Sequence, residues 1–294
     1  MGELISGLAA VILPVFLVSG IGYVWRRFSQ PFDHEFVTRS ITWVGAPATV
    51  FSALTRTRIA SEDLLSMGGA MLACMLLSAA VGALALKWAR LPWRVYLPSL
   101  IFPNVGNMGL PVCLFAFGDR GLALAMVAFA VCNVGQFTFG PAMAAGSFNL
   151  GRVARIPFLY AVAAAAVVCG LGLAVPRWLD NAVGLLSGLT IPLMLLGLGA
   201  ALADFKVTAL GRSLALSALR IGGGAAAGWG VATLFGLDGA ARGVLVIQSA
   251  MPVAVFNFLF ARLYDNRPDE VAGMVLASTA LAFLTLPLVV AAVM

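Results

Sequence analysis

The sequence predicts an all-α polytopic membrane protein of ten transmembrane helices, arranged as a 5+5 inverted repeat with broken, crossing helices 4 and 9. Three observations lead there. Hydrophobic residues make up 62% of the 294 residues and charged residues 10%, with a mean hydropathy of +1.02. A soluble domain of this length needs far more polar surface to cover its core. Apolar runs of about 20 residues, each long enough to cross a bilayer at ~1.5 Å per residue, recur from end to end. Two of those runs are interrupted by clusters of proline, glycine and amide residues.

Charges and turn residues set the limits of each span in order. The first, 4–25, has Glu3 before it, no basic n-region and no A-x-A site, so it reads as a retained helix rather than a cleaved signal. Arg26 and Arg27 end it. The second, 36–55, lies between Asp33-His34-Glu35 and Arg56. The third, 64–88, follows Glu62 and Asp63 and runs to Lys87 and Arg90. The fourth, 95–117, follows Arg94 and stops at Asp119 and Arg120. The fifth, 121–145, ends at the longest polar interruption, "GSFNLGRVARIP" (146–157). The sixth and seventh, 157–176 and 181–203, are divided by Arg177 and Asp180. The eighth, 211–235, comes after Asp204 and Lys206, and Asp238 precedes the ninth, 239–263. Arg267 and Asp269 precede the tenth, 270–293. Residues 1–145 then form the first five-helix repeat, 146–156 a short cytoplasmic linker and 157–294 the second repeat. No stretch is left for a separate soluble enzyme.

Basic residues orient the chain. Arg26, Arg27, Arg39, Lys87, Arg90, Arg94, Arg152, Arg155, Lys206, Arg212, Arg262 and Arg267 fall on one side, and Arg56, Arg58, Arg120, Arg177 and Arg242 on the other. The excess belongs in the cytoplasm, which puts both termini outside. Ten spans also require both termini on one side. The net charge of +6 is accounted for this way, and no basic cluster with interleaved aromatics points to nucleic acid. Pro47 and Pro192 lie 145 residues apart, Pro111 and Pro252 141, and Pro141 and Pro287 146. Each pair sits at the same ordinal span of its half. An odd number of spans per repeat forces the second copy to enter upside down, as in many transporters.

The stretch "FPNVGNMGLP" (102–111) therefore matters most, with "IQSAMPVAVFNF" (247–258) as its counterpart. A mid-membrane break exposes backbone N–H and C=O groups, which is tolerable only where protein or a watery cavity satisfies them. Half-helices expected to begin near Pro111 and Pro252 would aim positive dipole ends at the midplane, a setting for an anion. Gly106 and Gly109 permit unwound backbone. Asn104, Asn107, Gln248 and Ser249 offer neutral hydrogen bonds.

The other chemistry-bearing residues mainly exclude. All twelve acidic residues lie in loops or near span ends, so a cation/proton exchanger lacks its midplane carboxylate. Sodium held by carbonyls and amides alone stays open. Arg220 is the one charge well inside a span, either snorkelling to the headgroups, pairing with an anion, or serving as a ligand for half-helix carbonyls. His34 sits between Asp33 and Glu35 without the second histidine of a zinc motif, and Cys74, Cys113, Cys132 and Cys169 lack CxxC spacing, so neither metal nor disulfide is expected. The "GGG" at 222–224 suits close helix packing. No Walker A lysine, Ser/His pair, paired aspartates or HExxH occurs within the spans, so the chain reads as neither ATP-driven nor an enzyme, and no cofactor is expected. An anion channel is the rival to a carrier.

"PNVGNMGLPVCL" (103–114) and "IQSAMPVAVFNFLFARLYDNRPD" (247–269) resemble the two crossover motifs of the auxin efflux carrier family, the plant PIN proteins and bacterial relatives named as malate and malonate permeases. The resemblance implies the fold of the bile-acid/sodium symporter-like superfamily. Helices 1, 2, 6 and 7 would form a scaffold, through which the chain pairs as a homodimer. Helices 3–5 and 8–10 would form a transport domain moving as an elevator. It also implies residence in the bacterial inner membrane and a small organic anion, a mono- or dicarboxylate, as substrate. Contacts carried over by motif fall on Asn104, Asn107, Met108, Met251 and Val253, and on Asn133, Gln136 and Phe137 in span five. Gly109, Pro111, Gln248, Ser249 and Pro252 complete the expected site. Val253, Asn257 and Phe137 depart from the plant pattern, which speaks against auxin itself.

Overall fold

The computed structural model describes residues 2–57, 61–145, 157–205 and 210–294, and among them only helices and one isolated bridge occur as regular structure. The expected linker 146–156, with Arg152 and Arg155, and Lys206 lie outside the described residues. The helices are α1 (Gly2–Arg27), α2 (His34–Ser40), α3 (Ala46–Thr57), α4 (Ser61–Trp88), α5 (Trp93–Ile101), α6 (Leu110–Ala145), α7 (Pro157–Gly170), α8 (Arg177–Asp204), α9 (Leu210–Leu234), α10 (Gly239–Ser249), α11 (Val255–Leu263) and α12 (Pro268–Val293). Among the described residues, five stretches, Ala9–Arg27, Glu62–Trp88, Val105–Gly140, Arg177–Asp204 and Pro268–Val293, are long and apolar enough to cross a membrane. Their outer faces keep large apolar side chains exposed, among them Leu17, Leu65, Leu185 and Leu288. Helices that are apolar on the outside as well as the inside suit a lipid environment.

Proline explains most irregularities. Two π turns, Ile41–Gly45 and Val105–Gly109, each end two residues before a proline, Pro47 and Pro111. A helical proline lacks an N–H and its ring presses on the carbonyl four residues back. Widening the preceding turn by one residue accommodates both effects. Pro111 is thus the second residue of a continuing helix and does not start a half-helix, which corrects the sequence expectation. The interruption lies upstream, at Phe102–Asn104, where Phe102 (φ −98°, ψ 101°) and Asn104 (φ −77°, ψ 59°) leave the helical region. Its structural partner is the Met251–Ala254 segment, so Pro252 passes beside Pro103 rather than matching Pro111. Gly118 (φ 63°, ψ −156°) puts a kink into α6.

Glycine sets the tightest crossings. A Cβ on Gly22 or Gly199 would run into the backbone of the facing helix, so α1 and α8 touch main chain to main chain. Gly224 does the same for α9 against the carbonyl of Ser249 at the end of α10. At the start of α5, Arg212 donates to the Tyr96 hydroxyl (2.8 Å) and to Glu270 (3.0 Å), and that hydroxyl donates to Glu270. This knot ties α5 to α9 and α12 and anchors the helix that leads into the interruption.

Candidate functional site

The two interrupted helices meet as a minimal antiparallel bridge. Pro103 faces Val253, flanked by Asn104 N–H donating to Pro252 C=O (2.7 Å) and Ala254 N–H donating to Phe102 C=O (3.2 Å). Two proline-bearing segments thereby satisfy in each other the backbone groups that their helices leave unpaired, which the interior demands of buried backbone. Val253 N–H, turned away from the bridge partner, donates to the Ser278 hydroxyl of α12 (3.0 Å).

Arg220 settles the electrostatics around this bridge. It is 3% exposed and lies among helices rather than snorkelling outward. Nη1 donates to the carbonyls of Leu100 and Ile101, and Nη2 to the carbonyl of Ser249. One guanidinium therefore caps the C-terminal ends of α5 and α10 together, where unpaired carbonyls give each helix its partial negative charge. The opposite ends are left to act alone. The π turn leading into α6 begins at Val105 and α11 at Val255, and the first residues of both, Gly106, Asn107, Val255 and Phe256, line one cavity.

That cavity has a volume of about 900 Å³. Its closed end is formed by Pro103, Asn104 and Ala254 at the bridge, with Asn133, Gln136 and Phe137 on α6. Phe129, Phe256 and Phe260 add aromatic walls, and Met194 and Gly197 of α8 lie opposite. At the other end stand His34, Glu35, Arg39, Asp204 and Arg262. There Arg26 pairs with Asp204 (2.9 Å), and Arg39 with Glu35 (2.6 Å). These pairs are exposed and screened, so they contribute little to stability. The groups at this mouth fall on the side that the basic-residue pattern assigns to the cytoplasm.

The amides at the closed end have fixed orientations. Asn104 Oδ1 accepts from Asn107 N–H (3.2 Å), an N-cap for the turn that follows. Asn133 Nδ2 donates to the Phe129 carbonyl (2.8 Å). Gln136 Nε2 donates to Asn257 Oδ1 (3.2 Å), and Asn257 Nδ2 donates to the Phe102 carbonyl (3.2 Å). Of the residues expected at the site, Asn104, Asn107, Asn133, Gln136 and Phe137 share the cavity. Met108, Met251 and Val253 are buried in the core behind it. Gln248 and Ser249 are buried on the far side of the bridge, and Gly109 is small because a Cβ would collide with the Gln248 amide. Pro252 lies in the bridge itself, and Pro111 in α6 behind the π turn. Sequence reasoning treated Asn257 only as a departure from a pattern. Its signal was available: an amide inside an apolar helical segment needs partners, and here they are the bridge and the cavity wall.

Comparison with known proteins agrees with a transport role. Over 304 residues the chain is 24% identical to an uncharacterized transporter of Methanocaldococcus jannaschii, covering 95% of this chain and 96% of that protein. An uncharacterized transporter of Methanothermobacter thermautotrophicus is 24% identical over 300 residues, covering 96% and 97%. Residues 142–290, just over half of the chain and including the Met251–Ala254 segment, α11 and most of α12, match the membrane transport protein family. With helices apolar enough to cross a membrane, this match over half of its length places the chain in the membrane transport protein family.

Proposed function

We propose that the protein is a secondary carrier for a small organic anion, a mono- or dicarboxylate, bound at the closed end of the cavity beside the crossing of the interrupted helices. One observation carries the reading. Two helix N-termini and a set of buried amides face the same cavity, while Arg220 neutralises the two helix C-termini behind it. The two N-termini carry partial positive charge at the closed end without any cationic side chain there, which suits a carboxylate that must also leave. In this reading the chain crosses the membrane ten times as two inverted five-helix repeats. Helices α1, α2–α3, α7 and α8 act as a scaffold and dimer contact, and α4–α6 with α9–α12 carry the site across as an elevator. The cavity mouth at Arg39 and Arg262 is cytoplasmic, so the conformation is inward-facing.

The test is a binding screen of the purified protein against carboxylates, with and without sodium and at two pH values, followed by uptake into vesicles. Saturable uptake with trans-stimulation is the expected result. Failure of every mono- and dicarboxylate to bind would overturn the reading, and single-channel currents would replace the carrier by a pore.

A further inference from the structure

The orientation of the buried amides restricts what the cavity accepts beyond a carboxylate. A main-chain carbonyl can only accept, so the Phe102 carbonyl forces Asn257 to turn its Nδ2 towards it. Asn257 Oδ1 then faces Gln136, which must answer with its own Nε2. The remaining group of Gln136, the Oε1 oxygen, is left for the cavity that this residue lines. The same logic holds one helical turn earlier, where the Phe129 carbonyl takes Asn133 Nδ2 and leaves Oδ1 for the cavity. Asn104 is fixed the other way. Its Oδ1 caps Asn107 N–H, and its Nδ2 is buried without a hydrogen-bond partner while the residue lines the same cavity. The closed end thus presents two acceptor oxygens, at Asn133 and Gln136 on α6, together with the helix N-termini at Val105 and Val255, while Asn104 Nδ2 is enclosed behind the cavity surface.

From this we infer that Asn257 sets specificity: it holds Gln136 so that the site takes a carboxylate bearing a hydrogen-bond donor, such as a hydroxyl, rather than a plain carboxylate. The inference rests on the carboxylate reading above and adds the second group of the substrate. A substrate without a donor that displaces water from this end would leave both oxygens unpaired, whereas a hydroxy acid pairs at least one while its carboxylate lies at the helix N-termini. Sites built to bond a hydroxyl reject analogues lacking it, because the site's own polar groups are then stranded.

The experiment compares matched probes by calorimetry on the purified protein: 2-hydroxybutyrate with butyrate, and 3-phenyllactate with 3-phenylpropionate, the latter pair suiting the phenylalanine walls. The expected wild-type preference for the hydroxylated member is roughly 5- to 100-fold in Kd. Asn257→Leu frees Gln136 to turn and should bring that ratio to within about threefold of unity, less than the ~1 kcal/mol of a single neutral hydrogen bond. Asn257→Gln retains an amide that can donate to the Phe102 carbonyl and accept from Gln136, and should keep the preference that the leucine variant loses. Carboxylate binding with a wild-type ratio near one would overturn the inference and leave the carrier reading standing. Binding of none of the four probes would remove both. Equal affinities that appear only when sodium replaces choline would assign the two oxygens to a cation and equally overturn it. If Asn257→Leu fails to fold, the wild-type ratio and the Asn257→Gln ratio still decide.

Discussion

Replacing Arg220 with lysine keeps the positive charge but not the fork, and the consequence can be worked from the contacts. The two terminal nitrogens of Arg220 serve different helices, Nη1 the end of α5 and Nη2 the end of α10. A lysine ammonium is a single point and can reach one end only. At least one buried carbonyl then loses its partner, at a cost of about 1–3 kcal/mol. At roughly 2–4 °C per kcal/mol for a chain of this size, Tm should fall by about 2–12 °C. Arg220→Leu strands all three carbonyls but also removes the burial cost of a charge. Breaking such a buried charged cluster costs about 3–5 kcal/mol net, so the fall should be about 6–20 °C. The assay is thermal unfolding of purified protein in detergent, read by intrinsic tryptophan fluorescence, with substrate binding measured below the transition. The leucine variant should lose more than the lysine variant, and both should lose stability as well as affinity. If Arg220→Lys keeps the wild-type Tm and loses only anion affinity, Arg220 is an anion ligand and the shared-cap argument is wrong.

Other consequences are as direct. Asn107→Ala, at the cavity wall within the turn that Asn104 caps, should weaken carboxylate binding several-fold to about a hundredfold while Tm moves little; unchanged affinity in calorimetry would take Asn107 out of the site. Gly109→Ala should be destabilising by roughly 1–3 kcal/mol, because its Cβ meets the Gln248 amide in a close-packed interior; a stability equal to wild type in thermal unfolding would refute that packing. With no carboxylate at the closed end, uptake into vesicles should persist without a sodium gradient and follow the substrate gradient and the potential; a strict sodium requirement would refute this. A single cysteine at Gln30, beside the cavity mouth, should react with impermeant reagents only from the cytoplasmic side; labelling from outside intact cells would invert the topology.

Membrane class and the approximate limits of the helices follow from the sequence alone, because the bilayer imposes one strong requirement: about 20 apolar residues with internally bonded backbone, punctuated by charge. The helix end at Arg26–Arg27 and the helix start after Asp238 were legible for that reason. So was the importance of 102–111 and 247–258, since amides and prolines in an apolar run need a special reason to be there. Which residue breaks the helix was not legible. Pro111 and Pro103 look equally disruptive in sequence, and only the widened turn at Val105–Gly109 lets the helix absorb Pro111 while Pro103 pairs across to Val253. The role of Arg220 also needed the fold, because its three carbonyl partners come from two helices distant in sequence. Asn257 could be seen as a buried amide but not as an orienting one. Its two partners, Phe102 and Gln136, lie 155 and 121 residues away. Hydrophobic patterning is written locally, residue by residue, whereas the direction of a buried hydrogen bond is decided by whichever carbonyl the fold places opposite.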